Sequence, residues 1–384
     1  MARARLQLLA GAARTAGRPK RRLARNALSK GLSMLRFYME KLDTASSIFT
    51  SVDISADELR ARIADNPRLN FIHINNGETA KDPSDSIIVL ARKNPAIKEN
   101  LVMMTNAGFH LYVQRDGQSS MVRHRRISTL WQGVVKGDIQ CDKNHIFYTI
   151  DAATGAGEPR LLVVFSAVAA KMYTPSLMRH FEQNFSSISK YVPANTHILR
   201  IADMGGVVGS FYLNSNALPN NEENIRERIE KTASDLGVKK DGIVLYGTSK
   251  GGTAAVFYAL RHGWRGVAVD PIVSDEHYVK NHNDLHFTLG TFPATKQERF
   301  AELVQTPHAE SRLSVICSSR SPQFPYIRDS LIERFRDKFL FLNSENAEIR
   351  THPDVGPKTV SHALSQINLH LAGLEPPVGM QTVW

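Results

Sequence analysis

The segment Gly247-Thr248-Ser249-Lys250-Gly251 sets a serine between two glycines, each two residues away. A serine hydroxyl is presented as a nucleophile when it stands on a sharp turn from a strand into a helix. Its backbone is then strained, and side chains two residues to either side would collide. The flanks have the composition such a turn requires. Gly242-Ile243-Val244-Leu245-Tyr246 is an apolar run before it, and Gly251-Gly252-Thr253-Ala254-Ala255 is a run of small residues after it. On that turn the N–H of Lys250 and the start of the helix face a developing oxyanion. A phosphate-binding loop is excluded, because the lysine follows the serine and the Gly-x4-Gly-Lys spacing is missing. The competing reading is structural: a glycine-rich turn that lets a helix pack tightly on a strand.

Acyl chemistry at Ser249 needs a base, an acid and a second oxyanion donor. In this class of site the chain order is serine, acid, histidine. His352, in His352-Pro353-Asp354-Val355-Gly356, falls between a strand expected at 348–351 and a helix expected from 359. His362, in the first turn of that helix, is its rival. The acid usually follows the strand read here at 313–317. Ser318 to Phe324 holds no carboxylate, however, and Ser321 stands where an acid is expected. Asp270, directly after the strand at 266–269, is the candidate, with Asp275 as the alternative, although Asp270-Pro271 also suits a simple turn cap. The second donor is assigned to the loop after the strand at 161–165, to the N–H of Ser166 or Ala167, with Ala167 preferred. The Lys250 side chain is expected at the surface, or else drawing in an anionic substrate. Cys141 and Cys317 are far apart and have no metal-ligand spacing, so neither a disulfide framework nor a metal is expected. No bound cofactor is expected either, while an acyl donor such as acetyl-CoA is a conceivable co-substrate.

These residues need a scaffold. From residue 160 short apolar runs at 161–165, 196–201, 242–246, 266–269, 313–317 and 348–351 alternate with helical stretches at 175–185, 222–236, 252–262, 326–338 and 359–371. Buried strands with helical crossovers give a mainly parallel sheet with helices on both faces, an α/β-hydrolase-like domain over 160–373. Residues 274–310 interrupt the alternation with His277, Tyr278, His282, His286 and Phe287, and read as a lid. Residues 46–155 read as a smaller mixed α/β region, with a helix at 56–65 and strands at 70–74, 86–91, 108–114 and 145–150. Turn signals at Asn75-Asn76-Gly77 and Asp116-Gly117 separate them, and 151–159 reads as a linker.

The chain has 384 residues, of which 42% are hydrophobic and 22% charged, the profile of an ordinary globular protein. Its net charge of +11 is uneven. Residues 1–41 hold eleven Lys or Arg against one acid, Glu40, so the remainder is nearly neutral. That excludes a broad basic face on the folded body, and specific nucleic-acid binding is not expected. No apolar run approaches the roughly 18 residues of a membrane span. The basic segment, 1–45, is read as a solvated tail, a helix in peripheral contact with anionic membrane, or an organelle transit sequence.

Leu245 to Ala254, Leu-Tyr-Gly-Thr-Ser-Lys-Gly-Gly-Thr-Ala, resembles the XcbB/CpsF family of bacterial capsular polysaccharide biosynthesis proteins. So do Leu199-Arg200-Ile201-Ala202-Asp203, Gly209-Ser210-Phe211-Tyr212-Leu213-Asn214, Leu218-Pro219-Asn220-Asn221-Glu222 and Val269-Asp270-Pro271-Ile272. The resemblance covers about 160–370, and a more distant similarity extends to accessory Sec glycoprotein and capsule O-acetyltransferases. It implies a cytoplasmic protein, in part at the inner membrane face, that makes or modifies a surface glycan by acyl (O-acetyl) transfer or ester cleavage. The alternative it leaves is a non-catalytic capsule assembly or export component that keeps the fold. Asp203 and Asn214 match the family pattern without a role that the sequence supplies.

Overall fold

The structure, a computed structural model, describes residues 46–384 apart from residue 83. The basic segment 1–45 and the expectations attached to it lie outside the described residues. The first unit is a four-stranded sheet of β1 (Ser47–Ser51), β2 (Phe71–Asn75), β3 (Phe109–Arg115) and β4 (Gln118–Arg123), in the order β1-β2-β4-β3. β1 and β2 are parallel, and the other pairs are antiparallel. The β3–β4 hairpin closes through Asp116 and Gly117, both at positive φ, as a tight hairpin turn demands. Helices α1 (Ala56–Ala64) and α2 (Pro95–Asn106) cover one face; the Ser55 and Asn94 side chains cap them, and Pro95 opens the second. Ile48, Ile72, Ile74 and Met121 meet Leu59, Leu101 and Met104 in the core, which Val207, Val208 and Phe287 from far along the chain complete. Residues 86–91, expected as a strand, fold instead as a helical turn, Ile87–Ala91. Ile87, Ile88, Leu90 and Ala91 are all buried there, and so short an all-apolar run has no periodicity to separate strand from helix.

The second unit is a nine-stranded sheet. Its strands are β5 (Gln140–Cys141), β6 (Phe147–Asp151), β7 (Arg160–Phe165), β8 (Thr196–Ile201), β9 (Ile243–Thr248), β10 (Arg265–Val269), β11 (Arg312–Cys317), β12 (Leu340–Ser344) and β13 (Gly379–Val383). Their order is β13-β12-β11-β10-β9-β7-β8-β6-β5. The pairs from β13 to β8 are parallel, and β6 and β5 are antiparallel. Both faces are buried. Leu161, Val163 and Phe165 point toward α3 (Asn221–Asp235), α4 (Lys250–His262) and α5 (Lys296–Leu303). Leu162 and Val164 point toward α6 (His352–Lys358) and α7 (Val360–Leu371). This is the α/β-hydrolase-like arrangement expected from the alternation of apolar runs and helices. From β7 the chain steps outward to β8, then returns through α3 to β9 on the other side of β7. Such a reversal of strand order opens a crevice at the C-terminal strand ends, and Ser249 lies there.

Three local expectations change. Residues 348–351 are not a strand; the parallel strand at that stage is β12, built on Leu340-Phe341-Leu342, and the chain from Glu345 to Thr351 leads irregularly into α6. Residues 175–185 do not form a long helix but a single 3-10 turn, Leu177–His180. The cause is Arg179, whose buried guanidinium donates to the carbonyls of Leu111, Val207, Pro175 and Ser176 rather than facing solvent from a helix. Burial without a carboxylate lowers its pKa to about 9. Finally, the large sheet overruns the expected 160–373. β6 precedes the loop at 152–159, and β13 follows 373, because Phe147 and Tyr148 bury against β8 and its neighbours. Among the described residues no helix is long and apolar enough to cross a membrane.

Candidate active site

β9 ends at Thr248 and α4 starts at Lys250, so Ser249 alone makes the turn, at φ 55° and ψ −119°. This is a conformation that a residue with a side chain occupies only under strain. The strain is held by packing. A Cβ on Gly247 would lie 2.1 Å from the Gly251 carbonyl oxygen, and one on Gly251 would lie 2.4 Å from that of Phe165, so only glycine fits at either place. The Ser249 N–H donates to Val269 O at 2.8 Å, which ties the turn to β10.

The structure brings Ser249, His352 and Asp270 together. Asp270 Oδ2 lies 2.7 Å from His352 Nδ1, and His352 Nε2 lies 2.7 Å from Ser249 Oγ. A carboxylate accepts only, so Nδ1 carries the proton, and Nε2 then accepts the Ser249 hydroxyl. Asp270 is 1% exposed and stands at φ 43° just past β10, its own N–H donating to Ile316 O at 2.7 Å. His352 opens α6. The Asp354 carboxylate fixes its approach by accepting from the N–H groups of Arg350 and Thr351 and from the Thr351 hydroxyl. Those bonds, the Arg350 N–H first, hold Asp354 below the usual carboxylate range. His362 lies on α7 and Asp275 pairs with Lys296, so neither alternative joins the constellation. Ser321, where the sequence lacks an acid, turns its hydroxyl to Asp270 Oδ2 at 2.5 Å and thereby supports the acid one strand away.

The oxyanion side is more closed. The Lys250 N–H is the first of α4, without an intrahelical acceptor. Of the two donors expected after β7, the Ser166 N–H donates to the Tyr212 hydroxyl at 2.5 Å, and the Ala167 N–H donates to Asn184 Oδ1 at 2.6 Å.

The Lys250 side chain reverses its expectation. It is neither exposed nor open to an anionic substrate; it is fully buried and paired with Asp203 at 3.0 Å. Asp203 also accepts from the N–H groups of Ser210, Phe211 and Tyr212 and from the Ser210 hydroxyl. Gly209 leaves the room, since a Cβ there would lie 2.2 Å from Asp203 Oδ2. The Tyr212 hydroxyl bridges Ile201 O and the Ser166 N–H, and Tyr258 on α4 donates to Tyr212 O. One bonded network therefore ties the elbow, the 209–214 turn and the loop after β7 together. Asn214 does related work beside it: its backbone N–H and side-chain oxygen exchange hydrogen bonds with Glu222 at the start of α3. Tyr212 and Asn184 are site residues to which the sequence assigned no role, and Ser321 was marked only as the place of a missing acid. Of the first two, only Tyr212 carried a signal, its place in the family-like segment 209–214.

The 274–310 insertion covers the site. Tyr278 stands edge-on to His352 with ring centroids 6.2 Å apart, and the His286 ring lies tilted against Tyr278 with centroids 4.3 Å apart. Burial, then the Asp270 charge, raises the Tyr278 pKa, so its hydroxyl stays protonated. Burial, then the fields of Lys296 and His352, holds His286 neutral. Among the described residues no group of three or more His, Cys, Asp or Glu has metal-holding geometry.

No family model and no curated protein matches the chain. Among solved structures it is similar to the glycosylation associate protein (Gap123) complex from Streptococcus agalactiae, with a TM-score of 0.44 and 14% identity over 62% of this chain and 47% of that one. It is similar to a Staphylococcus aureus fluorophosphonate-binding serine hydrolase, with a TM-score of 0.40 and 16% identity over 60% of this chain and 96% of that one. It is also similar to the capsule O-acetyltransferase of Neisseria meningitidis serogroup A, with a TM-score of 0.44 and 15% identity over 60% of this chain and 93% of that one. The chain spans about half the length of the streptococcal protein. At these identities the likeness is one of fold.

Proposed function

We propose that this protein is a serine-nucleophile acyltransferase or esterase that acts on an ester or acylable hydroxyl of a bacterial surface glycan. The observation that carries the reading is the relay Asp270–His352–Ser249, two contacts of 2.7 Å ending on a serine in a strained turn. In the reaction Ser249 Oγ attacks an acyl carbonyl while His352 Nε2 takes the hydroxyl proton. Asp270, steadied by Ser321, balances the resulting imidazolium, and the N–H groups of Lys250 and Ala167 receive the carbonyl oxygen as it becomes an oxyanion. His352 then protonates the leaving group, and a sugar hydroxyl or water, deprotonated by the same imidazole, takes the acyl group from Ser249. The glycan setting rests on the segments that resemble capsule biosynthesis proteins. Asp203, the 210–212 turn, Lys250 and Asp270 all come from those segments, and they meet around one site. The cap that shields His352 favours transfer over hydrolysis by limiting water.

A fluorophosphonate probe tests the nucleophile. Wild type is expected to label, Ser249→Ala to lose labelling altogether because the probe bonds to the Ser249 oxygen, and His352→Ala to label far more slowly. Labelling that survives Ser249→Ala overturns the reading.

A further inference from the structure

Of the N–H groups assigned to the oxyanion, that of Lys250 heads α4 without an intrahelical acceptor, whereas that of Ala167 is already bonded. The neighbouring Ser166 N–H is committed to the buried Tyr212 hydroxyl. Ala167 donates instead to the carboxamide oxygen of Asn184, a partly buried side chain on the strand-to-strand connection that follows the 3-10 turn Leu177–His180. That oxygen is a partially negative acceptor at hydrogen-bond distance from the same donor that an ester carbonyl requires. A Cβ on Gly251 would lie 2.4 Å from Phe165 O and 3.2 Å from Ser166 O, so the loop bearing Ala167 lies directly against the elbow.

The residues on either side of Asn184 border two open hollows. A cavity of about 450 Å³ lined by Gln183, Ser186, Arg200 and Asp151 opens on one flank. Another of about 550 Å³, lined by Phe185, Ser187, Tyr191 and Leu364, opens on the other. Phe185, next to Asn184, sits at φ 54°, in the left-handed region. Asn184 itself lines neither hollow, but its neighbours Gln183 and Phe185 do, so there is open space beside the segment into which it can withdraw.

We infer that Asn184 is a gate on the oxyanion hole: its carboxamide oxygen occupies the hole in the free enzyme, and substrate must displace it before Ser249 can react. The inference rests on the serine acyl chemistry proposed above. It makes Asn184 a determinant of which substrates react, since only an acyl group that pushes the 183–187 segment aside gains both donors.

Two substitutions and one exchange measurement test this. If Asn184 gates the hole, Asn184→Ala labels with a fluorophosphonate about 3- to 10-fold faster than wild type, the factor corresponding to one neutral hydrogen bond no longer to be broken. Asn184→Asp labels more slowly than wild type, because a carboxylate holds the N–H more tightly and opposes a developing negative charge. Hydrogen exchange of the 166–168 amides speeds up in Asn184→Ala. Slower labelling of Asn184→Ala at an unchanged melting temperature makes Asn184 a brace and overturns the gate, as does exchange at 166–168 that is indifferent to the substitution. Absence of labelling in wild type and variants alike, with the exchange effect present, removes the Ser249 chemistry and the gate with it, whereas a failed gate leaves Ser249 labelling intact.

Discussion

Two buried lysine–aspartate pairs lie within this site, and they do different work. Lys250–Asp203 is wholly buried behind Ser249, and Asp203 is saturated by three backbone N–H groups, a hydroxyl and the ammonium. Lys296–Asp275 lies within the cap, where the ammonium sits 3.5 Å from the Phe211 ring centroid and Asp275 also accepts the Lys296 N–H. Burial, the larger influence, lowers the Lys296 pKa although Asp275 draws it up. Both pairs touch the same turn, the first through the Phe211 backbone and the second through its ring. The first joins the elbow to the 209–214 turn; the second ties two parts of the cap to one another and seats the ammonium on the Phe211 ring. A buried ion pair is weak evidence for net stability, but breaking one by removing a single partner is costly.

That contrast can be broken from either side. Lys250→Met leaves Asp203 as an unpaired buried charge. It should cost about 3–5 kcal/mol in denaturant unfolding and slow fluorophosphonate labelling in whatever protein folds. Labelling at the wild-type rate would mean that the network does not position the elbow. Lys296→Met should cost less, about 1–3 kcal/mol, because Asp275 keeps a backbone donor and some access to water, and labelling should stay within about threefold of wild type. A labelling loss as large as that of Lys250→Met would erase the distinction between the pairs. Ser321→Ala, which removes one donor from Asp270, should change stability by under about 1 kcal/mol and slow labelling only a few-fold. A stability loss equal to that of the lysine variants would place Ser321 in the core rather than in the relay.

The elbow was legible in the sequence because its constraint is steric: no side chain fits at Gly247 or Gly251, and that leaves a mark in composition. Asp270 and His352 were legible because chain order restricts where an acid and a base can come from. Lys250 was not. A lysine reads as a surface residue, and its partner Asp203 lies 47 positions earlier with nothing nearby to mark the pairing. Ser321 illustrates the same limit, since the missing acid was visible but the hydroxyl's turn toward Asp270 depends on where β10 and β11 lie side by side. Errors in the scaffold fall where short apolar runs have no period, as at Ile87–Ala91, or where one side chain overrides helix formation, as at Arg179.

The core of the first sheet is finished by Val207, Val208 and Phe287. Synthesis from the N-terminus therefore delivers β1 to β4 long before the residues that seal them, and about 160 positions separate the end of β4 from Phe287. The core of the small sheet is complete only after Phe287 has been made. That links the early sheet to the later segment that covers His352. Excising residues 46–123 as a module should yield a chain with an unfilled apolar gap, and a nascent chain stalled before Phe287 should remain sensitive to protease.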